Sequence, residues 1–421
     1  MFRSRQQPIT FALLGAGQRG AEVYAEYLHA HPKETQLVAA ADPDPERLER
    51  VRLRHGLKKT QLFRDWRKLL DKPKLADALI VATPDPLHIA PALRGLELGY
   101  HVLLEKPIAT HPEELEKLAE AAQKSEASVT VAHVLRYTPF FSKIKELLEE
   151  GRIGKLMSVA HLENISYWHF AHSYVRGNWR NLEVGAPLVL AKACHDLDLL
   201  RWLVGTPCKR LSSFGELGYF TPENAPEGAA DSCLDCPVER NCAFSAVRFY
   251  VEEQRENHSW PVTVITKDTS LEGRIEALRD GPYGRCVYKS DNDIVDHQVL
   301  ALEFENGVSA TLTISAFTKE NTRTLKLMGS KGEIRGHLEK GELELRDFVS
   351  GEETLIRVAT GKGHAGGDVG LMNAFVRFLA SVKRGNGSEA PLTSLAASLE
   401  SHRMAFAAEE ARLEGKVVTL G

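Results

Sequence analysis

Apolar and polar positions in the first part of the chain fall into two alternating kinds of stretch. Short apolar runs at residues 9–14, 36–41, 76–82, 100–104 and 128–132 read as buried strands. Between them, residues 21–30, 45–55, a segment ending near 71, 89–98 and 112–125 carry helical spacing, and Gly99 stops the fourth. Strict alternation of this kind demands a parallel sheet with right-handed crossovers. From Pro139 the pattern changes. Residues 140–150 form a helix, and 156–165 alternate as a half-buried strand. Residues 187–205 carry one apolar helical stripe through Leu199, Leu200, Leu203 and Val204, ended by Gly205. Alternating runs at 299–305, 309–316, 322–328, 332–338 and 342–347, joined by short turns, predict an antiparallel meander. Helices over 369–384 and 394–413 follow.

The first strand runs into Gly15-Ala16-Gly17-Gln18-Arg19-Gly20 and then a helix. A G-x-G-x-x-G pattern has physical meaning in this strand–turn–helix setting. Gly15 permits the tight turn, Gly17 lets backbone approach a pyrophosphate, and Gly20 lets helix and strand pack closely. The helix start offers free N–H groups to phosphates. Asp42 closes the second strand 22 residues past Gly20. A carboxylate there accepts ribose hydroxyls and repels a 2′-phosphate, which favours NAD over NADP. Asp42 also suits the start of the next helix. The fold class expected is α/β: a dinucleotide-binding Rossmann domain over 1–135, and an α+β domain over 136–421 with a largely antiparallel open sheet. The second domain binds substrate, mediates oligomerisation, and carries a Cys-containing insert near 221–250 and the C-terminal helices.

Composition narrows the function classes. The chain has 421 residues, 43% hydrophobic and 26% charged, with a net charge of −4. That balance gives no reason to expect nucleic acid or an anionic membrane as partner. No apolar run approaches the ~20 residues of a membrane helix. The polar start lacks the apolar core of a secretory signal, so a cytoplasmic location is expected.

Three stretches carry candidate chemistry. Lys106 follows the strand at 100–104 and precedes Pro107, which aims it at the cofactor crevice or leaves it as a surface lysine opening a loop. Residues 167–179 hold Trp168, Arg176, Asn178 and Trp179, which suit a sugar-binding rim as well as a loop docked on the other domain. Lys192, His195 and Asp196 sit at the start of the 187–205 stripe, where a helix N-terminus keeps a histidine neutral and able to accept a proton.

Taken together, these motifs make the chain resemble the Gfo/Idh/MocA oxidoreductases. The resemblance rests on Gly15 to Gly20, Ala40-Ala41-Asp42, Thr83-Pro84 with His88, Glu105-Lys106-Pro107, and His195-x-x-Asp198-Leu199-Leu200 closing at Gly205. It implies that Thr83, Pro84, His88, Glu105 and Lys106 lie at the cofactor. It also implies that Lys106 is catalytic beside the nicotinamide and His195 is the general base. Substrates in such proteins are sugars, sugar derivatives or cyclitols, oxidised at a ring hydroxyl. The chain departs from the pattern at Ala191, where the family commonly has an aspartate; Lys192 or Asp196 then takes part of that role. An NAD-dependent glycoside hydrolase working by transient oxidation is an alternative, and a non-enzymatic cofactor or sugar sensor is another.

Cys233, Cys236 and Cys242 form a C-x2-C-x5-C cluster. It suggests a structural metal, zinc by default or else an iron–sulfur cluster, with a fourth ligand from Cys194, Cys208, Cys286 or a histidine, or simply three reduced thiols in a loop. Residues 281–298 are polar and offer His297 as a substrate-facing candidate, and the glycine-rich stretch 361–368 offers His364. An antiparallel sheet with an exposed apolar face would pair subunits, as homodimer or homotetramer.

Overall fold

The computed structural model describes residues 7–361, 363–385 and 390–421. Residues 1–6 of the polar start and Lys362 of the glycine-rich stretch lie outside them. The N-terminal sheet has six strands: β1 Ile9–Leu14, β2 Thr35–Ala41, β3 Leu62–Phe63, β4 Ala78–Val81, β5 His101–Leu104 and β6 Val129–Val131. Their order is β3-β2-β1-β4-β5-β6, and all pairs are parallel. The order reverses between β1 and β4, so a crevice opens at their carboxyl ends, where such sheets bind ligands. β4 is buried throughout because helices cover both faces. Ala12, Leu14, Leu79, Val81 and Val102 pack under helices Ile89–Glu97 and Pro112–Gln123. Phe11, Leu13, Ile80 and Leu103, on the other face, join a core continuous with the second sheet.

That second sheet has nine strands: β7 Leu156–Ser166, β8 Cys208–Glu216, β9 His297–Phe304, β10 Ser309–Thr318, β11 Thr322–Gly329, β12 Gly332–His337, β13 Glu342–Asp347, β14 Glu353–Arg357 and β15 Val418–Thr419. The order is β14-β13-β12-β11-β7-β10-β9-β8-β15. β7 and β10 pair in parallel and every other pair is antiparallel. Alternation sends Leu300, Leu302, Leu312 and Ile314 inward, and with them His161 and Glu163 of β7. Leu162, Phe214, Val299 and Phe317 remain exposed on the outer face.

Two departures from the pattern matter for function. The 187–205 stripe is two helices, Leu188–Ala191 and Cys194–Val204, broken at Lys192 and Ala193. The chain also returns to its beginning. Val131 N–H donates to the Thr393 carbonyl at 2.8 Å, and Arg403 of helix Leu395–Glu414 pairs with Glu116. Between β8 and β9 lies a segment of short turns and one longer helix, Leu271–Asp280, with its own small core of Cys233, Ala246, Tyr250, Leu278 and Tyr283.

Candidate active site

The glycine turn leaves space where a dinucleotide needs it and none elsewhere. Gly15 has φ +88°, and a Cβ there would stand 2.3 Å from the Ala82 carbonyl oxygen. A Cβ on Gly20 would stand 1.8 Å from the Gly15 oxygen. Above Gly17 only an Arg47 nitrogen comes within 4 Å, at 3.8 Å. The following helix opens with a wide-wound turn, Gln18–Ala25, whose N-cap Gly17 supplies no side-chain acceptor. Its first N–H groups are thus left for an anion. Asp42 is 4% exposed; its Oδ2 accepts from Ala16 N–H at 2.7 Å and its Oδ1 from Asp44 N–H at 2.8 Å. Asp44, not Asp42, caps the next helix. Asp42 therefore ties the glycine turn to β2, and its oxygens keep spare lone pairs for a ribose. These residues fit a bound NAD.

Arg19 faces the protein. It pairs with Glu105 at 2.6 Å and with Asp368 at 2.9 Å, and it donates to Tyr24 Oη at 2.9 Å, while the Tyr24 hydroxyl donates to Glu105. Burial opposes ionisation of Glu105, but Arg19 holds its carboxyl below the usual range. Arg19 and Glu105 thus clamp the glycine turn to the end of β5 and to helix Gly367–Lys383. His88 is likewise held by the protein. Its Nδ1 lies 2.6 Å from the Pro107 carbonyl and its Nε2 2.9 Å from the Thr83 carbonyl, so the buried ring sits between two loops and donates its N–H to a backbone carbonyl. Thr83 donates its hydroxyl to the Leu87 carbonyl, and Pro84 opens the turn that presents Asp85.

Lys106 reaches across the crevice, and its Nζ donates to the Ala191 carbonyl at 2.8 Å. Two N–H groups of the ammonium remain for a substrate oxygen. His195, 4% exposed, lies on the helix Cys194–Val204, and its Nδ1 has no partner among the described residues. Burial first, then Lys106, His133 and His364, hold its pKa well below the usual histidine value. The imidazole is therefore neutral at physiological pH and able to take a proton. The ring centroid of His364 is 6.0 Å away, and that of His133 5.6 Å.

Lys192 and Asp196 are corrected. Asp196 is buried, with Oδ1 2.7 Å from His161 Nε2 and 2.8 Å from Arg323 Nε. Burial opposes its ionisation, but Arg323 and His161 hold its carboxyl well below the usual range. It anchors the helix to the sheet and has no free oxygen to act as acid or base. Lys192 pairs with Glu163 at 3.3 Å, and Glu163 with Arg323 at 2.8 Å. Burial lowers the Lys192 pKa. The spacing that placed Lys192 and His195 on one helical face does not apply, because Lys192 sits in the break.

Of the rim residues, Trp179 faces the crevice: its Nε1 donates to Asp85 at 2.9 Å, joining the second domain to the loop after β4. His364 also lies at the site, with Nδ1 3.2 Å from Asp368. The others are placed elsewhere. Trp168 stacks on Phe249, at 5.0 Å between ring centroids. Arg176 is buried among backbone carbonyls of the Cys-containing segment. Asn178 is exposed, and His297, the first residue of β9, bonds its neighbour Asp296. Among the described residues no group of three or more His, Cys, Asp or Glu side chains is already drawn together as a metal site.

Residues 9–133 match the family described as the oxidoreductase family with an NAD-binding Rossmann fold, and residues 145–420 match its C-terminal alpha/beta domain. The chain belongs to the Gfo/Idh/MocA oxidoreductases. The putative oxidoreductase YteT of Bacillus subtilis is 28% identical over 309 residues, 69% of this chain and 70% of its own length. Inositol 2-dehydrogenase 4 of Saccharopolyspora erythraea is 28% identical over 53% of this chain and 61% of its own length. The crystal structure of an oxidoreductase domain protein from Kribbella flavida shares the fold at TM-score 0.71 and 19% identity, covering 99% of this chain and all of that one. Among the described residues no helix is long and apolar enough to cross a membrane.

In this Gfo/Idh/MocA protein, several site residues escaped the sequence reading: His133, His161, Glu163 and Arg323. One signal was available for two of them, since His161 and Glu163 occupy inward positions of a strand, where apolar residues belong. Nothing local marked Arg323, whose partners lie far away in sequence.

Proposed function

We propose that this chain oxidises a secondary ring hydroxyl of a sugar, sugar derivative or cyclitol with NAD as hydride acceptor. Lys106 holds the substrate oxygen and His195 takes its proton. The observation that carries this reading is His195: a nearly fully buried, neutral imidazole with an unpartnered nitrogen, close enough to Lys106 to feel its charge. An alcohol losing hydride must also lose its hydroxyl proton, and a neutral imidazole accepts it. Lys106, freed of any carboxylate at position 191, stabilises the oxygen as it becomes anionic. Trp179, Asp85 and His364 frame the same crevice and suit a polyhydroxylated ring. The relative named inositol 2-dehydrogenase supports a cyclitol as one such substrate. The exposed apolar face of the second sheet suits pairing of copies into a homodimer or homotetramer.

The test is a screen of sugars, glycosides and cyclitols that follows NADH absorbance and product identity together. The expected result is one NADH formed per ketone produced. Release of an aglycone without NADH accumulation overturns net oxidation in favour of a redox-neutral hydrolase.

A further inference from the structure

Four of the six cysteines line one pocket, although they come from separated parts of the chain: Cys233, Cys236, Cys242 and Cys286. The pairing that achieves this is visible in the backbone. Cys286 N–H donates to the Asp231 carbonyl at 2.8 Å, and Ser232 bridges Arg285 in antiparallel fashion. Cys286 is thereby laid beside the turn that holds Cys233. The other two cysteines are elsewhere: Cys194 begins the helix that carries His195, and Cys208 begins β8.

The charge at this pocket is unusual. Arg176 is 3% exposed and has no carboxylate partner among the described residues. Its Nε donates to the Arg285 carbonyl at 2.7 Å, and its Nη2 to the Phe244 carbonyl at 2.9 Å and to Cys233 Sγ at 3.5 Å. A buried guanidinium without an anion is costly. Glu239 lines the same pocket, but its carboxylate takes the Ser245 hydroxyl and makes no ion pair with Arg176, and the side chain that Arg176 does reach is the Cys233 thiol.

We propose that Cys233, Cys236, Cys242 and Cys286 ligate a thiophilic metal centre, a single zinc or an iron–sulfur cluster, whose negative charge Arg176 balances. Binding of Zn²⁺ converts four thiols to thiolates and releases four protons with no change of oxidation state; an iron–sulfur cluster enters preassembled, its four terminal ligands being exchanged for the cysteine thiolates. A zinc tetrathiolate carries two negative charges, and a four-cysteine iron–sulfur cluster is likewise anionic, so the nearby cation is accounted for. The four thiols share the lining of one pocket but are not grouped as a metal site among the described residues, so ligation requires them to draw together. The centre has a structural task. The segment between β8 and β9 holds only short turns, one longer helix and a five-residue core, and a chain of that kind needs a cross-link to hold its shape. Arg176 lies three residues before Trp179, whose indole bonds Asp85 at the crevice, so the centre and the crevice share one short stretch of chain.

The test uses the full chain, purified without chelator, and measures zinc, iron and acid-labile sulfide together with the visible spectrum. One zinc per chain without colour supports the mononuclear centre. Iron and sulfide with a brown chromophore support the cluster. Cys286→Ser should lower metal content several-fold, and Cys208→Ser should leave it unchanged. Should the Cys286 variant not accumulate, the unmodified chain is alkylated with and without chelator, and the gain in labelling should fall on the four pocket cysteines alone. A chain that holds neither metal, and shows no sulfur-to-cobalt absorbance when titrated with Co²⁺, overturns the proposal. So does a gain in labelling spread over other cysteines.

Discussion

Lys106 and Ala191 meet across 85 positions of sequence, and the meeting sets how the site works. A carboxylate at position 191 would fix the ammonium by charge; the backbone carbonyl fixes it by direction and leaves its charge uncompensated there. Lys106→Ala should leave NAD affinity nearly unchanged and lower kcat by about 10²-fold or more. Cofactor titration by fluorescence beside steady-state turnover checks this, and near-normal turnover would remove Lys106 from the chemistry. His195 leads to a pH prediction. Its folded pKa is depressed by burial and by Lys106, so the neutral base persists as pH falls through the ordinary histidine value of about 6.5. The acid limb of kcat/KM should therefore lie below that pH. A limb at or above it would show that another group, or a solvated His195, governs the step.

At the scale of elements, the glycine turn and its clamp can be separated by mutation. Gly20→Ala places a methyl against the backbone oxygen of Gly15, which no side-chain rotation relieves. NAD affinity should fall by roughly tenfold or more while kcat at saturating NAD changes less, because the turn must shift away from the pyrophosphate site. Arg19→Ala acts differently. It leaves Glu105 and Asp368 buried without their cation, and should lower unfolding free energy by about 3 kcal/mol in a denaturant titration. The element pattern itself was legible. The long parallel strands, the strands of the second sheet and both last helices lie where periodicity put them, because one-sided burial imposes a period on any sequence. The meander, however, is interrupted: β7 inserts between β10 and β11 and runs parallel to β10. The clamp was not legible. Arg19 reads as part of a phosphate loop until Asp368, brought in by the far end of the chain, is seen beside it. Lys192 was misplaced for a related reason: an apolar stripe predicts a continuous helix, and only packing against Glu163 and Arg323 reveals the break.

At the scale of the molecule, buried histidines couple stability to acidity. Burial lowers His172 and His402 to about 3. The unfolded chain binds protons at these sites from about pH 6.5 downward and the folded chain does not. Their contribution is full above pH 6.5 and is lost as pH falls toward 3, by about 1.4 kcal/mol per pH unit for each. Melting temperature should drop steeply below pH 6.5, and His402→Asn should flatten that slope even where it lowers the starting value. An unchanged slope would assign acid sensitivity to other groups. The path of the chain has one more consequence, which concerns synthesis. β6 finds its last hydrogen bond at Thr393, and Ile108 N–H donates to His402 Nε2 at 2.8 Å. A ribosome must therefore release nearly the whole polypeptide before the cofactor-binding half is complete. Residues 1–135 expressed alone should aggregate or exchange amide protons freely along β6, and the nascent chain should depend on chaperones until its final helix emerges.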